Sequence, residues 1–158
     1  MRYNKESSSE AERGSAVPVR NSAKALVLHE DRILLNRCAS HYGEYYALPG
    51  ELLTEAVCRE LLEETGFAVE PVRLSAVYEC ITGGRSGNNH KLYFIFLCRL
   101  TGAKTRVPTE LDAYQIDQKW VPLDQIAKVN LFPRIVRNNI VRMLATEETI
   151  YLGSERRK

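Results

Sequence analysis

The stretch Arg59-Glu-Leu-Leu-Glu-Glu-Thr-Gly66, entered through Leu48-Pro-Gly-Glu51, places three carboxylates within five positions, directly before a glycine. Leu53, Ala56, Val57 and Leu61 recur at helical spacing, so Leu52 to Thr65 reads as a helix with one apolar stripe. Gly66 stands where a C-terminal cap belongs. At about 100° per residue, Glu60, Glu63 and Glu64 leave one side of that helix within an arc of about 100°. Like charges so placed repel by a few tenths of a kcal/mol per pair. Glu63 and Glu64 also lie at the negative end of the helix dipole. Two locally unfavourable choices on one face point to a bound cation. The donors on that face are all oxygen, with no Cys or His among them, which favours a hard ion such as Mg2+, with Mn2+ as a substitute, over zinc. A merely solvated acidic face is the competing reading of the spacing. Arg59, four residues before Glu63, is placed to pin part of the cluster.

Upstream, two apolar runs flank His29-Glu30-Asp31 and read as a hairpin, with strands near 22–29 and 32–38. The segment 39–50 reads as a loop. Downstream, 72–81 is a strand, 82–90 a glycine-rich polar linker, and 91–100 an apolar strand covered on both faces. A short strand ends at Pro122, a short helix begins near Asp124, and an amphipathic helix follows, with Ile135, Val136, Ile140 and Leu144 on its apolar side. Strands in the middle, with helices between and after them, predict a mixed sheet between helices. Residues 1–20 read as a mobile tail, 21–153 as one domain and 154–158 as a C-terminal tail.

The chain has 158 residues, enough for one ordinary domain. A net charge of +2, with both signs interspersed, gives no argument for a nucleic-acid partner. No apolar run approaches the length of a membrane span, and no secretory leader is evident, so a cytoplasmic protein is expected. Cys38, Cys58, Cys80 and Cys98 form no metal-type pair and read as reduced, packed thiols.

The string "LPG", then "E", seven residues, and "RELLEETGF" resembles the signature of the Nudix hydrolases, which cleave a nucleoside diphosphate linked to another group. From Arg59 to Phe67 it matches in full, and the resemblance extends over roughly residues 22 to 144. It implies an α/β/α sandwich with a mixed sheet between helices. It also implies Mg2+-dependent attack of water on a diphosphate bridge of a small nucleotide, by a monomer or homodimer. On this reading Glu60 and Glu64 are metal ligands assisted by Glu63, one of the cluster is the general base, and Glu51 and Arg59 fix the loop against the helix. In the family several residues, usually with a second glycine, separate "LPG" from "GE"; here Gly50 directly precedes Glu51. The join reads either as a true deletion or as a gap in the sequence. If it is a deletion, Gly50 must supply the backbone carbonyl that helps hold the metal. Candidate substrate contacts are Glu110, with Asp112 behind it, then Tyr46 among Tyr42, Tyr45 and Tyr46, and Arg85; each also has a plain reading as a solvated or core residue. Two functions follow: a pyrophosphohydrolase, or a nucleotide-binding sensor that kept the fold.

Overall fold

The computed structural model describes residues 18–50, 55–83, 89–102, 107–108, 111 and 113–157. Alternation along the first strand sets the architecture. In β1 (Val19–His29), Ala23, Ala25 and Val27 join one buried cluster and Leu26 joins another. In β2 (Arg32–Ser40), Leu34 belongs to the first cluster and Ile33 and Leu35 to the second. Side chains two apart share a sheet face, so the two clusters lie on opposite faces. Leu61 of helix α1 (Glu55–Thr65) completes the first. Val136, Ile140 and Met143 of helix α2 (Arg134–Ala145) complete the second. One helix covers each face, giving the α/β/α sandwich.

The remaining strands are β3 (Gly43–Ala47), β4 (Val69–Thr82), β5 (Asn89–Leu100), β6 (Gln115–Pro122) and β7 (Ile150–Arg157). Their order is β3-β2-β1-β5-β4-β7, with β6 paired to β2. β1 runs parallel to β5 and β4 parallel to β7, whereas β4 and β5 form an antiparallel hairpin, so the sheet is mixed. β1 and β2 pair only next to their turn, at Leu28↔Ile33 and His29↔Arg32. Beyond that, the segment after β3 reaches β1, where the Ala25 N–H donates to the Pro49 carbonyl at 2.9 Å. This contact brings Gly50 against the middle of β1.

Three expectations change. Residues 19 and 20, read as the end of a mobile tail, are the first of β1 and pair with His90 and Lys91 of β5. The segment read as a loop contains β3, which pairs with Asn36 to Ser40 of β2. Residues 154–157, read as a tail, continue β7 along β4. Ile150 is buried, Leu152 packs against the core and Tyr78 donates to Glu155 at 2.6 Å. An edge strand pairs through its backbone and needs few apolar residues, so its polar sequence hid it. The short helix after Pro122 is a 3-10 helix over Leu123–Lys128. All four cysteines are free, and burial pushes the Cys98 thiol up to about 12, away from thiolate chemistry. No helix among the described residues is long and apolar enough to cross a membrane.

Candidate active site

α1 ends as its sequence predicts. Gly66 takes φ +75° and its N–H donates to the Leu62 carbonyl at 2.9 Å, closing the last turn. The three acids of that helix, expected to act as one group, have different neighbours. Glu63 turns outward to Arg59, whose Nη1 lies 3.0 and 3.3 Å from its two oxygens. Glu60 is more covered, its side chain 14% exposed, with the nearest Arg59 nitrogen 3.9 Å away. Glu64 turns toward the sheet. Its Oε2 accepts the Gly50 N–H at 3.3 Å and the Asn36 amide at 3.1 Å. The Gly50 carbonyl in turn accepts the Lys24 ammonium. Gln118 and Gln115 donate to the main-chain carbonyl of Glu64, one of the orphan acceptors at the helix end.

This arrangement joins four segments around one residue, Gly50: Lys24 from β1, Asn36 from β2, Glu64 from α1 and Gly50 itself after β3. Asn36 is 4% exposed, and its Oδ1 has no hydrogen-bond partner among the described residues, as is true of Gln115 Oε1. A buried acceptor left open beside a carboxylate invites a donor or a hydrated cation. The Gly50 carbonyl, the Glu64 and Glu60 carboxylates and this amide are all hard oxygen donors, which fits a magnesium-type ion. Among the described residues no three His, Cys, Asp or Glu side chains converge as a ready metal cluster. Glu51, Glu110, Asp112 and Arg85 lie outside the described residues.

A cavity of about 330 Å3 on the α2 face shares Lys24 with this arrangement. Lys24, Lys91, Tyr45, Tyr93, Tyr114 and Phe132 are among its walls. Tyr78 and Tyr93 stack with ring centres 5.4 Å apart, and Tyr45 meets Phe132 edge-on at 6.4 Å. Tyr46, the sequence candidate for substrate, instead packs against the core, and its neighbour Tyr45 lines the cavity. Lys24, Asn36, Lys91 and Phe132 escaped the sequence reading. The available signal was a polar residue inside an apolar run, as in "SAKALVL" and "RILLN".

Near the hairpin, Arg37 holds Asp117 with a two-pronged contact at 2.8 and 2.7 Å and reaches Glu44 at 3.1 Å, tying β2 to β6 and β3. Hydrogen bonding to Arg37 holds the Asp117 carboxyl below its usual range. A carboxyl whose pKa is depressed on folding contributes stability that is present above its unfolded pKa. That stability is lost as pH falls through the folded value. The urea midpoint should therefore drop as pH falls below about 4, and drop less in Asp117→Asn. Equal drops in the two proteins would remove this pair from the acid response.

A family model described as the NUDIX domain matches residues 13–140. The mouse (Mus musculus) protein named 8-oxo-dGDP phosphatase NUDT18 is 36% identical over 74 residues, which are 47% of this chain and 21% of that protein. The chain therefore spans only about a fifth of the length of this curated relative. A NUDIX hydrolase structure from Nitrosomonas europaea superposes with a TM-score of 0.66 at 22% identity, covering 81% of this chain and 90% of that one. A MutT NUDIX hydrolase structure from Burkholderia pseudomallei gives a TM-score of 0.55 at 28% identity, over 68% of this chain and 85% of that one.

Proposed function

The chain belongs to the Nudix hydrolase family, and from that premise we propose that it hydrolyses the diphosphate bridge of a nucleoside diphosphate derivative with the help of Mg2+ or Mn2+. The observation that carries this reading is the junction of the Glu64 carboxylate with Gly50, linked through Lys24 to an aromatic, lysine-bearing cavity. Glu64, the Gly50 carbonyl and Glu60 would hold the ion. When bound, it neutralises phosphate charge and makes the attacking water more acidic.

The protein's own groups do the rest. Asn36 fixes the rotamer of Glu64, and Arg59 keeps Glu63 at the helix surface. The aromatic walls offer faces to a nucleobase, and Lys24 and Lys91 offer positive charge to the phosphates. Water attacks one phosphorus while a glutamate of the helix accepts its proton. The bridging P–O bond breaks, and a nucleoside monophosphate leaves along with the phosphorylated remainder.

The direct join of Gly50 to Glu51 favours a second reading, a sensor that binds nucleotide without cutting it. A panel led by 8-oxo-dGDP, ADP-ribose and nucleoside triphosphates, assayed for phosphate-bearing products with and without Mg2+, separates the two. Metal-dependent release from at least one compound is expected. Binding by calorimetry with no release from any compound would establish the sensor.

A further inference from the structure

The side chain of Lys24 is rooted in β1 between Ala23 and Ala25, which face α1, so it leaves the strand on the opposite face. Its ammonium donates to the Gly50 carbonyl, and the same side chain lines the cavity shared with Lys91, Tyr45 and Tyr93. One flexible four-carbon stem therefore serves two places: the peptide oxygen beside Glu64 and the wall of the cleft. The divalent ion of the proposed function needs that same oxygen. Two cations crowded on one carbonyl repel strongly in a partly buried site.

We propose that Lys24 is a built-in cation that occupies the Gly50 carbonyl while no divalent ion is bound, and turns into the cleft toward the substrate's phosphates when the ion arrives. The inference rests on the metal reading above and adds a competition to it. Binding of the ion releases a charged side chain at the place where an anionic substrate enters. The site is thus held together in the metal-free protein, and its phosphate contact becomes available only once metal is present.

The test is a Mn2+ titration of the full chain without nucleotide, read by loss of the free-ion EPR signal. Wild type, Lys24→Met, Lys24→Arg and Glu64→Gln are compared, each checked for folding by circular dichroism. Lys24→Met should bind Mn2+ roughly tenfold more tightly than wild type, and Lys24→Arg should stay within about threefold of it. With nucleotide, Lys24→Met should raise KM roughly tenfold while kcat changes less than about threefold, the pattern of a lost phosphate contact. Should the methionine variant fail to fold, Lys24→Gln, which keeps a donor for Gly50 without the charge, takes its place. Equal or weaker Mn2+ binding in the uncharged variant overturns the proposal and leaves the metal reading intact. Undiminished Mn2+ binding by Glu64→Gln overturns the metal reading, and this proposal with it.

Discussion

Glu64→Gln is expected to lower turnover of the preferred nucleotide by on the order of 10²–10³, with the melting temperature moving by less than about 3 °C. The two halves of this expectation come from the same contacts. Glu64 Oε2 accepts the Gly50 N–H and the Asn36 amide, and a glutamine oxygen can accept both. The loop, the helix end and β2 therefore stay tied. What disappears is the negative charge, the property a hard cation and a developing proton acceptor require. Glu63→Gln is the informative contrast, because Glu63 is held at the surface by Arg59 and makes no described contact with Gly50. Its loss should cost about tenfold or less. Steady-state kinetics in Mg2+, alongside thermal melts, check both. A Glu64→Gln protein retaining near-wild-type kcat would remove Glu64 from the catalytic set.

The contrast between Glu63 and Glu64 also marks how far the sequence could be read. Helical spacing places Glu60, Glu63 and Glu64 within one arc, and that much is local geometry. Which neighbours reach each acid is not local: Arg59 stands four residues before Glu63, whereas Gly50 and Asn36 approach Glu64 from 14 and 28 positions away. The same division runs through the fold. β1, β2 and α2 were legible because their apolar residues repeat with the period of the face they bury, as Val136 and Ile140 do. β7 was not, because its partner β4 lies some 70 residues earlier and the pairing uses backbone groups that every residue carries. Lys24 and Asn36 look like interruptions of apolar strands until the segment after β3 is brought across β1. Their function depends on a contact that spacing does not encode.

Gly50→Ala should cost about 3 kcal/mol of folding stability, from about 1–2 for the backbone conformation and the rest for overpacking. Gly50 has φ +101°, a region that residues with a Cβ rarely adopt. An added Cβ would also stand 2.9 Å from the carbonyl oxygen of Ala23 and 3.7 Å from the Ala25 nitrogen. These are main-chain atoms of a strand paired with β5 at Ala23↔Phe94 and Ala25↔Phe96, so they cannot move aside without loosening that ladder. The segment after β3 must give way instead, stretching the Ala25–Pro49 hydrogen bond and carrying the Gly50 carbonyl and N–H away from Lys24 and Glu64. Turnover should accordingly fall by at least about tenfold, even where the variant is folded. Gly43→Ala separates the two contributions. Gly43 has φ +108°, but a Cβ there meets nothing within 4 Å, so only the conformational cost of about 1–2 kcal/mol applies and the site is untouched. Urea denaturation of both variants, with kcat measured at a temperature where both are folded, decides the matter. Equal destabilisation of the two would mean that the close approach of Gly50 to β1 contributes nothing. A Gly50→Ala enzyme of undiminished kcat would mean that the position of this peptide is not what sets the chemistry.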